Sequence, residues 1–214
     1  MTNSEREQLT ANIREIIAGR DDGIELETEF CWVVSGVIQP VAFFQSLFLL
    51  LPPDATLYFE GCTIARDVAA FYEAHEARQV VAVVRDTIFP VSECFHVEVS
   101  PEFVTRLGEF AASRPSNELF DHVKAYHGES LLLHFHDAFQ RSVSEDDFMI
   151  STQVAESAVA EFSRRLGGNY QHKPFINQRI QGLRGLLTAM ENPGNIRIAG
   201  EPWWRRWWRR WTWR

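Results

Sequence analysis

The sequence predicts an α/β domain, with α+β as the alternative, built on one mixed sheet of about five or six strands flanked by helices. Three observations lead there. Helical apolar stripes and β-branched runs alternate along the chain. Cap and turn signals separate them at short intervals. One stretch of about thirty residues runs strand, helix, strand, which is the pattern of a βαβ unit with a parallel pair. The 214 residues, 45% hydrophobic and 23% charged, suffice for one buried core and exclude a disordered or collagen-like chain. The expected division is a domain over 1–190, a linker over 191–202 and an amphipathic helical tail over 203–214.

The elements follow in order. Ser4-Glu5-Arg6-Glu7 is a capping box, and Leu9, Ile13, Ile16 and Ile17 continue at helical spacing until Gly19 and Gly23 close the helix. A strand over 28–37 precedes a helix over 40–51, with Pro40 at its first turn and Pro52-Pro53-Asp54 as its stop. Residues 31–51 carry no charge and are long enough to span a bilayer. Pro40, Gln39 and Gln45 within the run, and Glu27, Glu29 and Asp54 at its flanks, argue instead for a buried strand and a buried helix.

Residues 55–60 form the first strand of the βαβ unit. Thr63 caps its helix, which runs to about His75, and the run Val80, Val81, Val83 and Val84 supplies its second strand over 79–85. Residues 92–99 alternate, with Phe95, Val97 and Val99 on one face and Cys94, His96 and Glu98 on the other. Ser100-Pro101-Glu102 starts a helix that turns Phe103, Leu107 and Phe110 inward. Pro115 separates it from a second helix over 117–126, with Leu119, Val123 and Tyr126 inward and Gly128 as its end. A strand over 130–139 and its hairpin partner over 148–150 flank a polar turn at 144–147. Ser151 or Thr152 caps a helix to Leu166, and Gly167-Gly168 end it. A polar linker leads to the last helix, over 175–190, striped by Ile176, Ile180, Leu183 and Leu187.

The net charge of −8 hides an asymmetry, because residues 203–214 hold five Arg and no acid and so leave residues 1–202 at −13. An acidic body suits solubility and basic partners and is a poor match for a nucleic-acid backbone. The three cysteines, Cys31, Cys62 and Cys94, are too few and too scattered for a disulfide framework, which favours a reducing, cytoplasmic setting. Residues 1–19 are polar and acidic, unlike a signal peptide.

Two sets of side chains carry candidate chemistry. In His134-Phe135-His136-Asp137, strand alternation puts both imidazoles on one face with a carboxylate at the strand end, a pattern that metallohydrolases use. A third ligand could come from His96, Glu98, His122 or His127. The plainer expectation is a sheet face with hydrogen-bonded imidazoles and no cofactor, with a metal at His134, His136 and Asp137 as the alternative. Cys62 falls after a strand and at a predicted helix start, where the dipole favours a nucleophilic thiolate. The phosphatase spacing is absent, since Arg66 comes too early and Val68 holds the place it would need. A small packed residue is therefore the plainer reading of Cys62.

Six of the seven Trp lie in 203–214. On a helix, Trp203, Trp204, Trp207, Trp208 and Trp211 fall within about 140°, and Arg205, Arg206, Arg209 and Arg210 fall within the opposite arc. A strand would mix the two types. The segment resembles Arg/Trp-rich membrane-active peptides over these twelve residues. That resemblance implies binding at an anionic membrane surface. Eleven helical residues span only about 16 Å, too short to cross a bilayer. The expectation is a non-enzymatic adaptor or regulator whose tail docks on a protein partner, or on the acidic body of a second copy. A metal-dependent hydrolase and a peripheral membrane protein are the alternatives, and nucleic acid is the least favoured partner.

Overall fold

The computed structural model describes residues 3–18, 23–26, 28–36, 39–87, 92–139 and 148–191. Seven strands are described: β1 (Phe30–Gly36), β2 (Thr56–Gly61), β3 (Glu93–Glu98), β4 (His122–His127), β5 (Ser130–Phe135), β6 (Phe148–Ser151) and β7 (Gly168–Pro174). They form one sheet in the order β3-β2-β4-β5-β6-β1-β7, with every neighbouring pair antiparallel. Six α-helices are described: α1 (Asn3–Ile17), α2 (Pro40–Ser46), α3 (Arg66–Glu73), α4 (Pro101–Ser113), α5 (Glu156–Leu166) and α6 (Gln178–Glu191). The α/β class is as the sequence predicts. The sheet is larger, at seven strands, and antiparallel rather than mixed.

The chain divides into two units. In one, α1 packs along α6, where Arg6 donates to the Met190 carbonyl and Arg14 pairs with Glu191 at 2.7 Å. The other, residues 22–176, holds the whole sheet and α2 to α5. Its apolar core lies between one sheet face and the helices. Leu57 and Phe59 of β2, Val123 and Ala125 of β4, and Leu133 and Phe135 of β5 meet Phe43 and Phe44 of α2, Phe103 and Leu107 of α4, and Val159 and Phe162 of α5. The Ser100 hydroxyl caps α4 by accepting from the Phe103 N–H at 3.1 Å, as predicted. Gly167 ends α5 in the left-handed region at φ 68°.

The other sheet face carries the chain around Ile24 and Val83. Leu26, Cys31, Val33, Tyr58, Val83, Tyr126, Leu131 and Met149 form a smaller apolar cluster there. Ile24 bridges Val83, its N–H donating to the Ala82 carbonyl at 2.7 Å and its carbonyl accepting from Val84 at 3.1 Å. A Cβ on Gly23 would sit 2.7 Å from the Val84 nitrogen, so this approach requires glycine.

Three expectations are corrected. Residues 79–85 are not a strand of the sheet, and β2 pairs antiparallel with β3 and β4, so the βαβ unit predicted over residues 55–85 does not form. The helix predicted over 117–126 is a short 3-10 turn (Ser116–Glu118) followed by β4. Residues 119–126 are all buried, and a run covered on every side has no amphipathic period to separate strand from helix. The polar linker after Gly168 is β7, an edge strand paired with β1 over seven residues; edge strands tolerate such polar composition. The described residues of 31–51 fold as β1, α2 and a 3-10 turn, and no described helix is long and apolar enough to cross a membrane. Residues 192–214, including the Trp and Arg positions of the tail, lie outside the described residues.

Candidate metal centre

Register assembles a polar belt across four strands on the face opposite the one that α2, α4 and α5 cover. Tyr58 of β2 stands opposite His96 and Lys124, and Lys124 stands opposite His134. One pair further along, Glu60 stands opposite Cys94 and His122. Just beyond β5, His136 continues the alternation that His134 begins.

Asp86 lies between these side chains. It comes from the segment over this face, and its side chain is 2% exposed. The Lys124 ammonium donates to the Val84 carbonyl at 2.6 Å and pairs with Asp86 Oδ1 at 3.1 Å. His134 Nε2 donates to Asp86 Oδ2 at 2.8 Å, and His136 Nδ1 is 3.9 Å from the same oxygen. One oxygen thus serves the ammonium and the other faces both imidazoles.

A second carboxylate approaches from the turn after β5. Asp137 Oδ1 is 4.0 Å from His136 Nε2 and 3.8 Å from His122 Nδ1. His122 stacks on His136 with ring centroids 4.5 Å apart, and its Nδ1 accepts the Asp137 N–H at 3.0 Å. That bond leaves the His122 proton on Nε2. The turn carries two left-handed residues, Asp137 at φ 46° and Phe139 at φ 61°. Aspartate tolerates this backbone and phenylalanine does not. Phe139 is held there by the rings of Phe43, Phe44, Phe120 and Phe135, and the Ala138 N–H donates to the Asp121 carbonyl at 2.8 Å.

The charge states follow from burial and neighbours. Burial alone would raise the Asp86 carboxyl, but His134 and Lys124 beside it hold it well below the usual carboxylate range. Burial lowers the His134 imidazole against the pull of Asp86, and Lys124 adds to the lowering. Burial also lowers His122, to about 4, with the Asp86 charge opposing. At neutral pH the belt therefore presents an ionised Asp86 and neutral His134 and His122, the protonation states in which such groups ligate metals.

The structure brings His134 and His136 together, with Asp86 as the third donor. Asp86, His134 and His136 offer ligand atoms all within 4.8 Å of one another, as do His122, His136 and Asp137. The first set fits a cation better. Ligands at about 2.0–2.2 Å from a metal stand roughly 3–4 Å apart, and donor spacings in both sets are near that, so ring orientation separates them. In the second set the stacked rings aim their nitrogens poorly at a common point, and His122 Nδ1 is already engaged.

Cys62 does not stand at a helix start. The helix starts at Arg66 with Ala65 as its cap, and Thr63 instead donates to the Asn117 carbonyl. Burial, then the Asp121 and Glu60 charges, push the thiol up to about 11, so it is protonated at neutral pH. Of the third ligands weighed from sequence, His122 joins the belt. His96 bonds Tyr126 at 2.9 Å and His127 bonds Asp54 at 3.0 Å. Asp86, Lys124 and Glu60 were missed. The available signal was a lone charge in an otherwise apolar run, as in residues 56–61 and 122–126.

No protein family, curated protein or solved structure matches this chain.

Proposed function

We propose that this chain binds one divalent first-row transition metal through Asp86, His134 and His136, and that a metal-bound water on the exposed side of the site supports hydrolysis. The observation that carries this reading is the convergence of the His134 and His136 imidazoles on one oxygen, Oδ2, of a buried, ionised carboxylate. Three protein ligands leave a position for water, as in catalytic zinc sites, and the His136 side chain is 42% exposed. Lys124 on the other Asp86 oxygen orients the carboxylate from behind, the role that outer hydrogen bonds play in metal sites. A cation would take the place of the proton shared between His134 and Asp86.

The test is titration of chelator-treated full chain with zinc or cobalt. We expect one ion per chain, tetrahedral cobalt absorption, and loss of both in His134→Ala, His136→Ala and Asp86→Asn with the fold kept by circular dichroism. A folded wild type that takes up neither ion overturns the reading and leaves the belt as a structural ion-pair network.

A second reading rests on charge. An acidic body with a basic, Trp-rich end supports docking of residues 203–214 on a protein partner or a second copy, with an anionic membrane surface as the alternative. Removing 203–214 should abolish self-association or partner capture; a truncated chain that keeps every interaction refutes it.

A further inference from the structure

We propose that Glu60 is a positioning residue: its carboxylate clamps the Asp86–Thr87 backbone to β2 and so places the Asp86 carboxylate against His134. The consequence for metal affinity rests on the metal reading above; the clamp itself does not.

Glu60 is fully buried, where a carboxylate persists only if donors satisfy it. Four do. The Asp86 N–H donates to Oε2 at 3.0 Å and the Thr87 N–H to Oε1 at 2.6 Å. The Ser92 hydroxyl donates to Oε1 at 3.1 Å and the Tyr58 hydroxyl to Oε2 at 3.2 Å. Each oxygen therefore takes one backbone and one hydroxyl donor.

Asp86 and Thr87 belong to no strand or helix, so regular structure does not hold them. Consecutive N–H groups on one carboxylate fix both the position and the orientation of a chain segment. Because β2 and β5 both flank β4, fixing Asp86 to β2 also fixes it relative to Lys124 and His134. The donors on Glu60 include the Asp86 and Thr87 N–H groups, so its effect on the ligand set runs through the placement of Asp86.

The experiment uses the full chain with Glu60→Ala and Glu60→Gln, read by nitrogen-15 histidine resonances and zinc titration, with His134→Gln to assign the signal. In the wild type the His134 Nε2–H bonded to Asp86 should resonate far downfield. We expect Glu60→Ala to lose that signal and to weaken zinc by about 10–100-fold. Glu60→Gln should lie between, since its one remaining oxygen can still serve Thr87 and Ser92. If the alanine variant does not fold, the glutamine variant carries the test. A purely structural role would lower urea stability without moving the His134 resonance, and an unmoved resonance in the folded variants overturns the clamp even if wild-type zinc binding holds. A moved resonance in a protein that binds no zinc supports the clamp and sinks the metal reading alone.

Discussion

Along β4, Val123 and Ala125 enter the apolar core while His122, Lys124 and Tyr126 point the other way, and all five are buried. The two faces of one sheet thus reach burial by different means. Beneath the helices, contact is non-directional, and rings such as Phe43 meet Phe44, Phe135, Phe148 and Phe162 at 5.1 to 6.0 Å. On the opposite face, each polar atom requires one particular partner, and the partners come from β2, β4, β5 and the residues Val84 and Asp86. The first face tolerates any shape-compatible hydrophobe. The second depends on register, because a one-residue slip would carry its charges into the apolar core.

The largest way to break this contrast is on the apolar side. Phe43→Ala removes a fully buried ring from the centre of the helix layer and should cost about 3–5 kcal/mol in urea unfolding. Zinc affinity of the folded fraction should be unchanged. A cost below about 1 kcal/mol would show that this core can collapse around the cavity, against the picture of tight ring packing.

On the polar side the signature is conditional. Lys124→Met strands the buried Asp86 carboxylate and should cost about 3 kcal/mol or more. Lys124→Met combined with Asp86→Leu removes both charges and should recover most of that loss while abolishing metal uptake. Additive losses in the double variant would mean that the pair contributes no coupling. This conditional character explains what the sequence could not disclose. The α4 cap, the helix after Pro40 and the pairing of β5 with β6 rest on near neighbours in the chain, and all were legible. His134 and His136 were legible as a pair because two-residue spacing fixes a shared face. Asp86 is 48 residues from His134, and Glu60 is 26 from Asp86. Their meeting follows from strand order, which no local pattern encodes.

A smaller effect separates the faces by pH. His122 falls from an ordinary 6.5 to about 4 in the folded chain, so between those values the unfolded chain binds the extra proton. Stability should therefore drop as pH falls from 6.5 toward 4, by up to about 3 kcal/mol from this group. In chelator-treated protein, the urea midpoint of His122→Asn should fall less steeply over that window than that of the wild type. Parallel curves would exclude His122 as a source of the acid sensitivity.

The smallest effect tests the legible part. Ser100→Ala removes the hydroxyl that accepts the Phe103 N–H and should cost about 1 kcal/mol. It should do so with no change in zinc affinity or in the His134 resonance, since α4 lies across the sheet from the belt. The contrast with Lys124 is one of alternatives. At a helix end, water can replace the lost acceptor, so the penalty is capped. Inside the belt no water competes, so a missing partner leaves an uncompensated charge. A Ser100→Ala cost that equalled the Lys124→Met cost would contradict that reasoning, and would place the α4 terminus among the register-dependent contacts rather than the local ones.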